Sequence, residues 1–389
     1  MQPAKHIHTT KPSYIREILS VAASQEVISL AGGLPCPDTF PMPIIEQVMP
    51  QMAFEKSLFQ YAETAGYQPL IEDLRAKYKV PETHDVLITT GSQQGIDICA
   101  RTFVAPGDKI VVEDPSYLGA LQVFSMAQAE VLSITQQTDG PDLTQLENLF
   151  QQHDIKFFYA VPDFHNPTGC CWSLAKRQGV AALCTRYQVL FIEDAPYRKM
   201  RFSGIELPTV SHFCPNESIV LRSFSKMVAP GLRIAALITP QRWSAVLNKL
   251  KQSIDLHTSV PMQHLTQQIL KHPDFDAHLS VTNQRYAQRY QALGNELSTL
   301  PTDRYQFSNI DGGMFVWLNI PTCDTLALAN KALENGVAVV PCSEFRVDNP
   351  KANDQSTTSA LRLNFSRNEP TIIQQGIARL KPVLEQFGA

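Results

Sequence analysis

The 389-residue chain is 44% hydrophobic and 18% charged, which is the composition of a protein that buries a core. Its net charge of −4 and the lack of any Lys/Arg-rich run exclude a dedicated nucleic-acid surface. There is no apolar run long enough to span a bilayer. The N-terminus, Met-Gln-Pro-Ala-Lys-His-Ile-His, has no apolar signal core, so a cytoplasmic protein is expected.

Eight cysteines, at 36, 99, 170, 171, 184, 214, 323 and 342, form no C-x-x-C pair and read as reduced thiols. Residues 1–12 read as a loose arm. His6 and His8 on it are too loosely held for a metal, and no metal site is expected elsewhere. Residues 13–21 carry the spacing of a short helix, with Arg16 on it. The pair Gly32-Gly33 lets backbone approach another group closely. Ile44, Ile45, Val48, Met49 and Met52 place a helix within 43–59, and Tyr61 beyond it is by default a loop aromatic.

From Asp85 the pattern alternates. Strands are predicted at 86–90, 109–113, 155–161, 189–192, 219–221 and 234–238, with helices between several of them and one from Gly91 to about Val104. This is an α/β chain with a mainly parallel sheet covered by helices, whose functional loops belong at the strands' C-terminal ends. Beyond residue 240 the pattern is helical, first near 245–250 and then over roughly 261–296. From Pro301 a smaller α/β unit follows, with strands at 314–318, 337–340 and 361–365 and helices at 325–335 and 370–386. Stretch 347–358 is polar enough for a mobile loop.

The polar motifs fall where that architecture wants them. Gly91-Ser92-Gln93 opens a helix, where unpaired backbone N–H groups favour an anion; Ser92 reads either as a plain N-cap or as a phosphate ligand. In Asp114-Pro115-Ser116-Tyr117 the tyrosine either packs in the core or offers a face to a flat ring. Asn166 sits in the turn sequence Asp163-Phe164-His165-Asn166-Pro167-Thr168-Gly169, beside His165, which reads as a packing group. Asp194, in Glu193-Asp194-Ala195-Pro196-Tyr197, ends an apolar strand and needs a partner. Ser223-Phe224-Ser225-Lys226 follows another strand, with Arg233 past a Pro-Gly turn. Two hydroxyls and a guanidinium suit a phosphate, and a lysine beside them suits a Schiff base to an aldehyde cofactor. Arg362 alternates with Leu361 and Leu363 and shares a strand face with Asn364 and Ser366; its fork is either solvated or takes a carboxylate.

Together these segments resemble, in text and in order, the fold-type I, pyridoxal-phosphate-dependent aminotransferases. Residues 223–233 match S-F-S-K-x-x-x-P-G-L-R, and residues 60–67 match Q-Y-x-x-x-x-G-Y. Ala-Gly-Gly-Leu-Pro at 31–35, continued to Phe40-Pro41, is similar to the 2-aminoadipate/kynurenine branch. The resemblance runs from about Ser13 to Leu380. It implies an arm and part of a small domain at 1–45, a large cofactor-binding domain at 46–285 and a small domain at 286–389. It also implies pyridoxal 5′-phosphate as cofactor, carried by Lys226. Ser92, Gln93, Ser223, Ser225 and Arg233 would hold its phosphate region. Tyr117 would stack on the ring, and Asn166 and Tyr197 would meet its phenolic oxygen, with the bond before Pro167 often cis. Asp194 would keep the ring nitrogen protonated. Arg362 would take the substrate α-carboxylate, with Gly33 and Asn166 nearby, and Arg16 reads equally as a substrate side-chain contact or a surface ion pair. Tyr61 would reach the partner subunit's cofactor phosphate, which requires a homodimer.

The implied reaction moves an amino group from an L-amino acid to a 2-oxo acid, 2-oxoglutarate being the expected acceptor. The departures are Ala195, Cys342 and Ala235-Ala236, the last two where the family often has glycine; they bear on specificity rather than on the cofactor. The competing readings are a β-lyase or decarboxylase on the same scaffold, and a non-catalytic sensor of the kind fused to winged-helix regulators. About a dozen residues precede the family body, too few for a DNA-binding domain. A nicotinamide-binding fold is weaker, because no G-x-G-x-x-G follows a strand.

Overall fold

The computed structural model describes residues 7, 14, 18, 26–347 and 359–387. His6, His8, Arg16 and residues 348–358 of the polar stretch lie outside the described residues.

Among the described residues fourteen strands are formed: β1 (Ile28–Ser29), β2 (His84–Thr89), β3 (Lys109–Asp114), β4 (Glu130–Gln137), β5 (Gly140–Pro141), β6 (Ile155–Ala160), β7 (Leu190–Asp194), β8 (Ser218–Ser223), β9 (Ala235–Pro240), β10 (Gln306–Phe307), β11 (Phe315–Ile320), β12 (Val337–Ala338), β13 (Val340–Pro341) and β14 (Ser359–Asn364). Eight of them make the main sheet, in the order β2-β9-β8-β7-β6-β3-β4-β5. Strands β8, β7, β6, β3 and β4 run parallel; β9 is antiparallel to both of its neighbours, and β5 is antiparallel to β4. The central strands are apolar on both faces because helices cover both faces, as parallel pairing requires. Helix Ser92–Phe103 lies on β8 and β9. Its approach is close: a Cβ on Gly95 would sit 2.9 Å from Leu221 Cδ2. That contact brings the helix N-terminus down over the sheet edge where β8 ends.

The second sheet, β10-β11-β14-β13, is antiparallel and pairs Trp317 with Arg362 in register. β1 pairs in parallel with β12, so the N-terminal segment is tied to the C-terminal unit. One continuous core runs through both units, including Phe164, Tyr197, Met314, Phe315, Leu361 and Leu363. The site therefore sits between elements that cannot separate without exposing apolar surface.

The elements differ from the expected ones in several places: the strand expected at 337–340 is β12 and β13, in different sheets, and β1 and β10 were not expected. Strands β4 and β5 carry little of the apolar signal that marks the others, because β4 (Glu-Val-Leu-Ser-Ile-Thr-Gln-Gln) lies near the sheet edge and is mostly half-exposed. The helical stretch at 261–296 is two helices, Val260–Lys271 and Phe275–Leu297, split where Pro273 lacks an N–H to continue the ladder. The predicted helix within 43–59 stops at Met52, and a short 3-10 turn, Lys56–Phe59, follows. Helix Phe275–Leu297 is continuous through position 285.

A buried carboxyl offers a test of this core. Glu113 on β3 is 1% exposed; its Oε1 accepts from Gln136 Nε2 at 3.0 Å and Trp172 Nε1 at 3.1 Å, while Oε2 has no partner. Burial pushes its pKa up from 4.5 to about 8, against those two hydrogen bonds. Between these values the folded chain keeps the proton that the unfolded chain has lost. Stability therefore falls as pH rises through this window, by about 1.4 kcal/mol per pH unit from this group. Glu113→Gln carries no such proton. Its stability relative to the parent, read from urea unfolding, is expected to improve steadily from pH 5 to pH 8; a flat difference contradicts the assignment.

Candidate active site

The C-terminal ends of β2, β3, β6, β7 and β8 converge with β14 and the N-terminal Gly33 loop around one cavity of about 550 Å³. Ser92, Gln93, Tyr117, Asn166, Asp194, Tyr197, Ser223, Ser225, Lys226, Arg233, Arg362 and Gly33 all line it. Of the residues singled out from sequence, Tyr61 is the described one that does not. It lies 79% exposed on a surface loop, edge-on to His257 at 6.0 Å between ring centroids.

Lys226 follows β8 in a tight turn. Its Nζ donates to Gly33 O at 2.7 Å. Burial, then the charges of Arg362 and Arg233, lower its pKa from 10.5 to about 8. Burial is the largest cause, and Arg362 outweighs Arg233. Asp194 ends β7 at 2% exposure. Its Oδ2 accepts from the Tyr159 hydroxyl at 2.8 Å, and its Oδ1 has no partner. Burial raises its pKa to about 7, against that hydrogen bond.

At the other end of the cavity, Gly91 caps the helix with φ +81°, and a Cβ there would lie 2.4 Å from Arg233 Nη2. Only glycine gives both the backbone angle and the room for the guanidinium. Gly91, not Ser92, holds the N-cap position and makes no side-chain cap bond. Ser92 is the first helical residue, and its Oγ is buried without a partner. Arg233 Nη1 donates to Ser225 Oγ at 3.5 Å and Pro230 O at 3.3 Å. Ser223 Oγ accepts from the Ser225 backbone N–H at 3.2 Å. Two hydroxyls, a guanidinium and a helix N-terminus thus surround one corner. The Tyr117 hydroxyl donates to Gln93 Oε1 at 3.3 Å, and Gln93 Nε2 donates to Gly119 O at 2.7 Å.

Arg362 is 1% exposed, with its guanidinium over both the Phe315 and Phe345 rings at 4.4 and 4.9 Å. Nη1 donates to Asn166 Oδ1 at 2.8 Å and Nη2 donates to Ala31 O, while Nε has no partner. Burial lowers its pKa from 12.5 to about 10. Its charge has no acid beside it among these partners, an expensive state unless an anion is bound there.

The loop carrying Asn166 is pinned from below. Asp163 accepts from Arg177 Nη2 at 2.8 Å and Arg198 Nη1 at 2.7 Å, all three side chains buried. The Asn166–Pro167 bond is cis, as is Asp114–Pro115. His165 is buried, close to Gln136 Nε2 and Thr168 Oγ1 at 3.1 and 3.0 Å, and burial holds its pKa near 3. It stays neutral and packs, as its sequence context suggested. Cys342 is buried beside Thr325 Oγ1 at 3.6 Å in a small-unit cluster, and Ala235 and Ala236 are buried in β9. Sequence reasoning passed over Tyr159, whose one signal was a lone hydroxyl at the end of an apolar strand.

The model of the aminotransferase class I and II family matches residues 25–380. The chain belongs to the class I and II aminotransferases. The aromatic-amino-acid aminotransferase 1 of Thermococcus litoralis is 33% identical over 97% of this chain and 92% of its own length. The kynurenine aminotransferase of Pyrococcus horikoshii, solved in complex with PMP, is 30% identical with a TM-score of 0.92, covering 99% of this chain and 97% of that one. The α-aminoadipate aminotransferase of Thermus thermophilus, solved with N-(5′-phosphopyridoxyl)-L-leucine, is 32% identical with a TM-score of 0.89 over 99% and 97%. The fold expected from sequence, an α/β fold-type I transferase with a second smaller sheet, is the one this aminotransferase has. Among its described residues, no helix is long and apolar enough to cross a membrane.

Proposed function

We propose that this aminotransferase moves an amino group from an L-amino acid to a 2-oxo acid, 2-oxoglutarate foremost, using pyridoxal 5′-phosphate. Its donors are 2-aminoadipate, glutamate or bulky apolar and aromatic amino acids. The observation that carries this reading is a half-buried lysine whose pKa is lowered to about 8, lining the same cavity as three residues with buried polar atoms that lack partners: Ser92 Oγ, Asp194 Oδ1 and Arg362 Nε. These fit, in turn, a phosphate, a ring N–H and a carboxylate.

When bound, the cofactor supplies an electrophilic aldehyde carbon and a ring that withdraws electrons from the substrate Cα. The chain's own residues do the rest. Ser92, Gln93, Ser223, Ser225 and Arg233 hold the phosphate region, and Tyr117 lies against the ring. Asn166 and Tyr197 hold the phenolic oxygen, and Asp194 Oδ1 keeps the ring nitrogen protonated. Arg362 grips the α-carboxylate beside Asn166 and the Gly33 loop and so orients the Cα–H bond. Lys226 Nζ, neutral in a good fraction of molecules near pH 8, takes that proton and delivers it again. Gly33 O keeps the amine aimed into the cavity until substrate arrives.

The exposed Tyr61 supports the further reading of a homodimer in which it reaches the partner's phosphate site. The active body is then a large unit at 46–285 and a small one at 286–389, with 1–45 joining them, working in the cytoplasm. The test is a donor screen of the purified, cofactor-loaded protein with 15N-labelled amino acids and 2-oxoglutarate. Labelled glutamate is expected. Release of ammonia or of a decarboxylated amine with no labelled glutamate points instead to a β-lyase or decarboxylase.

A further inference from the structure

Asp194 lines the cavity and offers two carboxylate oxygens, of which Oδ1 is buried without a partner. The other is engaged by Tyr159, a residue outside the cavity lining and 1% exposed on β6. The pairing follows from the strand register. Tyr159 sits opposite Ile192 across the β6–β7 ladder, and Asp194 lies two residues further on, on the same face as Ile192. The Tyr159 ring is wedged edge-on against Phe124 at 5.4 Å between centroids, inside the main core. It is therefore a rigid donor. Its phenol is also a permanent one, since burial and the Asp194 charge hold its pKa well above 10.

We propose that Tyr159 is a positioning residue for the reaction: its hydroxyl holds Asp194 Oδ2 so that Oδ1 alone faces the cavity as an ionised acceptor. This rests on the reading of Asp194 as the partner of the cofactor ring nitrogen. The physical need is plain. A carboxylate among apolar residues favours its protonated form, and a protonated Oδ1 could not hold a proton on a ring nitrogen. A hydrogen bond donated to the charged form opposes that shift. The other titratable groups facing Asp194 give no such help. Cys99, from helix Ser92–Phe103, is buried with its thiol held neutral, and Tyr197, from the loop after β7, is likewise held neutral by burial. Among these three, Tyr159 makes the hydrogen bond to the Asp194 carboxylate.

Tyr159→Phe keeps the ring and its packing and deletes the donor. In the apoprotein, the infrared band of the Asp194 carboxyl, assigned by its loss in Asp194→Asn, is expected to titrate about one pH unit higher in Tyr159→Phe than in the parent. In the cofactor-loaded enzyme, kcat/KM is expected to fall about tenfold at pH 7 and to recover partly at higher pH, where the carboxyl ionises. A 3-fluorotyrosine at 159, a stronger donor of the same shape, is expected to move the band the other way and so reads out the bond even where the phenylalanine variant folds poorly. An unmoved titration in both variants overturns the inference. A fully active Asp194→Asn overturns the ring-nitrogen reading instead, whatever the infrared band shows.

Discussion

Lys226→Ala is expected to fold as the parent does and to transaminate more than about 10⁴-fold more slowly. Among the described residues the side chain is the cavity's only lysine, and no other lining group among them combines a lowered pKa near 8 with a primary amine. Its removal leaves Gly33 O without a donor at the cavity wall and takes away a cation that burial disfavours, so the two effects on stability oppose each other. Thermal melting within a few degrees of the parent is expected, against a near-complete loss of rate followed by labelled-glutamate formation. Borohydride treatment of the parent followed by peptide mapping is expected to place the phosphopyridoxyl group on residue 226. Undiminished turnover by the alanine variant, or a tag on another lysine, would remove the basis for the proposed chemistry.

Arg362→Lys is expected to retain the fold and to lower kcat/KM about 10²-fold, mostly through a raised KM. The positive charge survives the exchange, so any loss measures geometry. The guanidinium lies over both the Phe315 and Phe345 rings, one arm on Asn166 and one on Ala31, with Nε left over. An ammonium group matches neither the paired aromatic faces nor two-point contact with a carboxylate. Losing a desolvated charge-assisted pair of this kind costs about 2–5 kcal/mol. The check is steady-state kinetics with an amino acid and with the corresponding amine, which lacks the carboxylate. The lysine variant is expected to lose most of the parent's preference for the acid; an unchanged preference contradicts a carboxylate-binding role.

The chemistry-bearing residues were legible because each is tied to a short local pattern. Lys226 and Arg233 lie in the short connection between β8 and β9, Asp194 closes an apolar strand, and Arg362 breaks a leucine alternation. Such patterns survive in the text because the backbone conformation and the polar group are specified together. Ser92 illustrates the limit. A hydroxyl after Gly91 is consistent with a cap or an anion ligand, and only the positive φ of Gly91 assigns the cap to the glycine. Strands β4 and β5 were missed because edge strands bury too little to carry a clear hydrophobic period. The break at Pro273 was smoothed over because apolar spacing continues on both sides of it.

By itself, the amino-acid sequence determined the α/β class and the longer central strands, which depend on local period, and its resemblance to a known family singled out the groups that line the cavity. Tertiary structure decided everything that depends on distance between remote segments. It brought Gly33 to Lys226, laid Asn166 against Arg362, set Arg233 in the space Gly91 leaves open and placed Tyr159 under Asp194. It also decided which polar atoms remain unpaired in the core and how far burial shifts each titration. Those properties come from desolvation by many residues at once, and no short stretch of sequence records the sum.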